Sequence, residues 1–174
     1  MKTYMAKVRG LSDYLQHRMV IDNDGDKITT GEKDYSEEWK KSLYKDDDGC
    51  YIPSEHFLGC LIKAGVNFRV KGKGQTTFKN FVKANFTIEP DHIPLGKSEP
   101  DDIFQKFVVV QRNRILRSRP LFRKGWEVEF ELILQDDIDM EILKGLFEVA
   151  GSQYGIGDWR PKYGRFELVS LEEK

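Results

Sequence analysis

The residues best equipped for chemistry lie near the end of the chain, in Ser152-Gln153-Tyr154-Gly155-Ile156-Gly157-Asp158-Trp159-Arg160-Pro161-Lys162-Tyr163-Gly164-Arg165-Phe166. Gly155, Gly157 and Gly164 lack Cβ atoms and accept positive φ, so the backbone there can come close to another molecule. Trp159 and Tyr163 offer flat faces, and Arg160, Lys162 and Arg165 offer positive charge. Phosphates attract cations and bases stack on π-surfaces, so the combination predicts a site for single-stranded nucleic acid. The competing expectation is a tight connection in which Trp159 fills the rim of the core and the glycines only turn the chain.

Two further basic clusters could extend such a site. Arg69-Val70-Lys71-Gly72-Lys73-Gly74-Gln75 has no hydrophobic periodicity, and Thr76, Thr77 and Lys79 follow it. It is expected as a mobile basic loop over 69–77 that wraps a phosphate chain or is simply solvated. Arg112, Arg114, Arg117 and Arg119 form the other cluster. Arg117 and Arg119 share one face of an expected strand, as Glu127, Glu129 and Glu131 do in the next. Cross-strand pairing would neutralise the first two arginines, at roughly 0.2–1 kcal/mol per pair. Arg112 and Arg114, near a tip, would stay available.

Metal chemistry finds little support. His17, His56 and His92 are widely spaced, and with Cys50 and Cys60 they make no zinc pattern. Asp46-x-Asp48-Gly49-x5-Glu55 resembles part of a calcium loop, but Tyr44 occupies its first ligand position. The run Asp22-Asn23-Asp24-Gly25-Asp26 lacks a correctly spaced glutamate. No metal or cofactor is expected. No catalytic residue is assigned either. His56 alone has the chemistry of a general acid or base, and no partner base or nucleophile accompanies it.

These residues sit in a chain of 174 with a net charge of −1, which argues against a general polyanion binder. The balance hides a split: Asp22 to Glu55 is acidic, whereas Lys63 to Lys83 and Lys106 to Lys124 contain basic residues and no acid. One positive surface beside one negative surface suits a polyanion at one face and head-to-tail self-association across both. Met1-Lys2-Thr3-Tyr4 has no apolar signal-peptide core, and no apolar run approaches the roughly 20 residues of a membrane helix. The expected setting is therefore cytoplasmic, away from membranes, with Cys50 and Cys60 reduced.

The elements that must position these groups read as one domain over 1–174. Tyr4, Ala6 and Val8 alternate in a first strand. Residues 12–50 form a polar, acidic excursion with a short helix near Ser36 to Leu43. Pro53-Ser54-Glu55 opens a helix, with Ser54 as its cap and Phe57, Leu58, Leu61 and Ile62 as its buried stripe. A short helix at Phe78 to Val82 and a strand at Phe86 to Ile88 follow. Phe107 to Val110 and Arg114 to Arg119 make a hairpin about Arg112-Asn113. Val128, Phe130, Leu132 and Leu134 mark another strand. Asp139 caps a second long helix that Gly151 stops. A last strand starts at Phe166. The order predicts an α+β fold: a ferredoxin-like, RNA-recognition-like βαββαβ antiparallel sheet with two helices on one face and an elaborated loop region.

Two stretches in this order resemble the RAMP superfamily of CRISPR-associated proteins. Tyr51-Ile52-Pro53-Ser54-Glu55-His56-Phe57-Leu58-Gly59-Cys60-Leu61-Ile62 is similar to the opening of the first helix in backbone subunits of CRISPR effector complexes. Gly155-Ile156-Gly157 through Gly164 is similar to the superfamily's glycine-rich loop before the last strand. The resemblance implies a modified RNA-recognition fold that grips RNA by its backbone, with protomers stacked along the strand and a thumb-like hairpin separating groups of bases. No long thumb stands out in the sequence. Arg69 to Gln75 and the acidic excursion are the segments that would serve as one. The expected partners are single-stranded RNA or DNA, further copies of the chain, and CRISPR-type complex subunits. A stand-alone phage or mobile-element relative fits the same motifs. The rival functions are a metal-independent endoribonuclease using His56 or a tyrosine, and a phage protein that imitates a backbone subunit and binds protein partners.

Overall fold

Alternation in the first strand decides the layout. In β1 (Lys2–Gly10), Tyr4, Ala6 and Val8 point into the core, while Lys7 and Arg9 point to the opposite face. A computed structural model describes residues 1–19 and 37–174. The Asp22 run, Ser36 and the middle of the acidic excursion lie outside the described residues.

The remaining elements are β2 (Tyr14–Leu15), α1 (Glu38–Ser42), β3 (Lys45–Asp46), β4 (Gly49–Pro53), α2 (Ser54–Ala64), α3 (Lys79–Asn85), β5 (Phe86–Glu89), β6 (His92–Lys97), β7 (Asp102–Val110), β8 (Asn113–Phe122), β9 (Glu127–Leu134), α4 (Met140–Val149) and β10 (Phe166–Glu173). The architecture is α+β with antiparallel sheets. The main sheet has the order β10-β1-β9-β5, and two three-stranded sheets, β2-β8-β7 and β3-β4-β6, flank it.

Both long helices cover one face of the main sheet. The Phe130 ring of β9 lies 4.8 Å from Phe57 of α2 and 6.3 Å from Phe147 of α4. A single buried ring thus joins sheet and helices, with a burial worth roughly 1.5–3 kcal/mol. Asp139 caps α4 as expected, its Oδ1 accepting the Glu141 amide at 2.7 Å.

The other face of the sheet is a charge ladder. Arg9 Nε donates to Glu127 Oε1 at 2.7 Å, Lys7 lies 3.4 Å from both Glu127 and Glu129, and Lys174 pairs with Glu131. This corrects the expected Arg–Glu pairing. β8 joins a different sheet from β9, so Arg117 and Arg119 never meet these glutamates. They pair instead with Glu38 of α1, and Arg119 also with Asp158.

Four local expectations change. The β7–β8 turn is Gln111-Arg112, both at positive φ (48° and 69°) as in a type I′ turn, so it sits one residue earlier than Arg112-Asn113. Ser54 does not cap α2; no side-chain cap bond is present, and the Ser54 amide donates to Asp91 O at 2.9 Å. Gly151 does not stop α4. The helix runs on through a π-turn over Ala150–Tyr154 and ends at Gly155, at φ 68°. Gly151 is needed for packing, because a Cβ there would collide with Phe166 O of β10. Finally, β3, β4 and β6 form a small sheet where the sequence suggests only an irregular excursion and a loop.

Candidate nucleic-acid groove

The glycine-rich connection from α4 to β10 folds back on itself. Gly155, Gly157 and Gly164 all have positive φ, at 68°, 78° and 75°. What approaches them is the protein's own chain. A Cβ on Gly157 would strike Leu15 O and the Tyr14 ring, and one on Gly164 would strike Ile156 O. Most of the amides are committed internally too. Ile156 N donates to Gly164 O at 2.9 Å, Asp158 N to Leu15 O at 2.9 Å, and Gly164 N to Asp13 O at 2.7 Å. Arg165 N donates to Ser12 Oγ at 2.9 Å. The expected close approach of bare backbone is therefore made to β2 and its flanks. The glycines shape the loop, and its side chains face outward.

Asp158 anchors that shape. Its Oδ1 accepts the Trp159 amide at 3.0 Å, and its Oδ2 accepts from Arg119 Nε at 2.9 Å. Arg119 is 5% exposed and also pairs with Glu38. Trp159 is half-buried: its ring meets Phe104 of β7 edge-on at 4.7 Å, with Lys106 Nζ 5.6 Å above it. Tyr163 packs on the same Phe104 at 5.3 Å and carries Lys162 at 5.6 Å. Arg160, Lys162 and Arg165 are exposed.

Between this loop and α2 runs a groove. One section, about 250 Å³, is lined by His17, Glu55, His56, Gly59, Lys63, Gly157, Asp158 and Arg160. The next, about 400 Å³, shares Lys63, Gly157, Asp158 and Arg160 and continues to Tyr154, Trp159 and Pro161. Four shared residues make the two sections one trough. Among the described residues, neither Lys63 nor Arg160 enters an ion pair. Gly59 leaves the floor open, since nothing lies within 4 Å of a Cβ built there. The sequence marks Gly59 only through the α2 motif and His17 only as one of three widely spaced histidines, and it gives no sign of Phe104. Tertiary packing brings these in from β7 and from the end of β2.

His56 is half-buried, with Nδ1 3.2 Å from the buried Tyr14 hydroxyl and the Tyr44 ring edge-on at 5.4 Å. Burial, helped by Arg160, lowers its pKa to about 4, so it is neutral near pH 7. Burial also lowers the pKa of His17, which lies 3.7 Å from Asp158, and raises that of Tyr14. Cys60, a free thiol pushed up to about 12 by burial, donates to Ala150 O and Gly155 O and fastens α2 to the loop.

The other basic clusters lie at the margins. The 69–77 loop closes through a bridge between Arg69 and Thr77, with Val70 N donating to Thr76 O at 2.8 Å. Arg69, Lys71, Lys73 and Lys79 are exposed on it and just beyond it. Asn67 Nδ2 donates to Tyr154 Oη at 3.4 Å, which ties the loop's base to the far end of the trough. Arg112 and Arg114 ride on the β7–β8 hairpin, where Arg114 covers the Phe107 ring at 4.4 Å. The hairpin base touches the site through Phe104, and the tip stands roughly 20 Å away at strand rise.

The calcium-like run is a hairpin turn. Asp46 Oδ1 accepts the Asp48 amide at 3.0 Å, and Oδ2 meets His92 Nδ1 at 2.8 Å. Among the described residues, no group of three His, Cys, Asp or Glu could hold a metal ion. No helix among them is long and apolar enough to cross a membrane.

With the geometry in place, the fold can be compared with solved structures, and it is similar to that of a chain in a CRISPR complex. A chain of the Type III-B Cmr-beta complex bound to cognate target RNA matches over 99% of this chain, with TM-score 0.56 and 12% identity. This chain spans 60% of that one's length. A chain of a Type IV-B CRISPR complex matches over 97% of this chain and 90% of its own, with TM-score 0.49 and 8% identity. No family model and no curated protein sequence matches.

Proposed function

We propose that this chain binds single-stranded nucleic acid, RNA or DNA, in the trough between α2 and the glycine-rich loop, as a non-catalytic subunit of a CRISPR-type assembly. The observation that carries the reading is one open groove with two cations on facing walls, Lys63 and Arg160, that have no ion-pair partner among the described residues. Arg165, Lys162, Trp159 and Tyr163 flank it on one side, and Arg69, Lys71, Lys73 and Lys79 continue from its far end. The glycines 155, 157 and 164 contribute by holding the loop in shape. The sheet's outer face is a poor rival, because its cations are paired with glutamates and it presents no aromatic platform there. The RNA-bound state of the Cmr-beta neighbour supports the same reading.

The finer fold assignment belongs to this proposal. The order β10-β1-β9-β5, with α2 between β1 and β5 and α4 between β9 and β10 along the chain, is read as a ferredoxin-like unit, whose strands in chain order are β1, β5, β9 and β10. The β7–β8 hairpin then projects between its second and third strands, where a thumb is needed. Arg69 to Gln75 is relieved of that part. The hairpin exposes Phe107 (54%) and Val109 (75%), a surface suited to a protein neighbour in an assembly.

Filter binding of labelled 20-nucleotide RNA and DNA strands tests the proposal. Retention by micromolar protein at low salt, falling steeply as salt rises, is the expected result. No retention of either strand overturns it. Cleavage of structured RNA in EDTA, lost in His56→Ala, would turn the reading to the endoribonuclease.

A further inference from the structure

His56 is the one groove side chain whose buried surroundings fix how its ring is protonated. Its Nδ1 is turned inward, 3.2 Å from the Tyr14 hydroxyl, and Tyr14 is fully buried beneath the groove. A buried phenol must place its proton on an acceptor. The Tyr14 hydroxyl lies 3.2 Å from His56 Nδ1, and Gln16, the other side chain that acts on it, lowers the phenol's pKa and so acts as a donor, not as a taker of its proton. The neighbouring Gln16 spends its amide group on Tyr51 O at 2.8 Å and its carbonyl on the Tyr44 amide at 2.8 Å. Tyr14 therefore donates to Nδ1, and the ring's single proton sits on Nε2, the nitrogen left for the groove that His56 lines.

We propose that His56 is a ligand-recognition residue: a neutral Nε2–H donor, set in that tautomer by Tyr14, that bonds an oxygen acceptor of the nucleic-acid strand between Lys63 and Arg160. This rests on the groove reading above. It gives the trough three donors, two charged and one neutral, and it removes His56 from acid–base work, since a bare Nδ1 held by a phenol cannot take up the substrate's proton. The depressed basicity of the ring agrees. The charged and titratable groups around the ring are Tyr14 from β2, Tyr44 ahead of β3, Glu55 and Lys63 on α2, His17, and Asp158 and Arg160 on the glycine loop. His17 is the only other histidine among them, so pH series are run in a His17→Gln background.

The test combines a spectroscopic signature with a variant series on the full chain. Long-range 15N–1H spectra should show His56 protonated at Nε2 and bare at Nδ1, unchanged from pH 8 to 5.5. Binding of a 20-nucleotide RNA should stay flat over the same range. His56→Gln, which keeps an amide donor, should bind within about threefold of wild type, whereas His56→Ala should lose about tenfold, the loss of one hydrogen bond to a charged acceptor. Tyr14→Phe should leave a mixture of tautomers in the spectrum. Protonation at Nδ1, titration near the ordinary histidine range, or equal binding by His56→Ala and wild type would overturn the proposal. If wild type binds no strand at all, the groove reading fails instead, and the spectrum still reports the tautomer.

Discussion

The outer face of the main sheet and the trough beside α2 use the same charged residue types to opposite ends. On the sheet, Lys7 and Arg9 face glutamates one strand away, because antiparallel register sets Lys7 against Glu129 and Arg9 against Glu127, and Lys174 at the end of β10 reaches across β1 to Glu131. In the trough, Asp158, one of its two lining carboxylates, is already held by the buried Arg119 and by the Trp159 amide. Lys63 and Arg160 are left without an ion-pair partner among the described residues. Sequence charge is therefore a poor guide to function. The location of each carboxylate's first commitment decides whether a neighbouring cation is structural or available.

The largest expected effect breaks the trough by breaking its wall. Gly164→Ala places a Cβ against Ile156 O at a positive φ and should cost about 3 kcal/mol or more, read as a lower urea midpoint together with lost oligonucleotide binding. Acid is next. A histidine whose folded pKa lies below its unfolded one contributes stability above pH 6.5 that is lost as pH falls toward 4. Wild type should lose on the order of 3 kcal/mol relative to His56→Gln across that window, measured by urea unfolding at stepped pH.

Charge reversal sharpens the contrast itself. Lys63→Glu with Arg160→Glu should weaken strand binding by roughly 30-fold or more at low salt, flatten its salt dependence, and leave the melting temperature unchanged. Filling the floor tests the same site without altering charge. A Cβ at Gly59 has no protein atom within 4 Å, so Gly59→Leu should fold normally and bind about tenfold more weakly in the same filter assay. Smallest of all, Lys7→Ala on the sheet should leave stability almost unchanged, because solvent screens an exposed pair, and should not change binding at all. An equal effect of Lys7→Ala and Lys63→Glu on binding would erase the distinction between the two faces.

Alternation and capping were legible where they acted locally. The β1 and β9 stripes, the α2 and α4 faces and the Asp139 cap all rest on contacts between residues close in sequence or on a simple period. The β7–β8 hairpin was legible to within one residue of its turn, but its length as a projecting arm was not, because Asp102 to Gln105 carries no strong alternation. The β3-β4-β6 sheet was missed because Pro53, Pro94 and Gly96 interrupt its pattern, while its β4–β6 pairing joins residues 39 to 47 apart. For the site, the aromatic and basic character of the glycine loop was visible. The partners that orient it, Phe104, Asp13 and Leu15, were not, since no local signal links them to residues 155–165.

By itself, the chain's order of residues determined the strands of the main sheet and the helices, where the exposed cations cluster, and that three glycines mark a special turn; each depends on local φ/ψ preference or on period. Only the tertiary structure decided which carboxylate meets which cation, that the glycines admit the protein's own backbone, and that α2 stands across from the loop with a trough between them. Those outcomes depend on pairs brought together from 39 to 153 residues apart, and distance in sequence carries no record of distance in space.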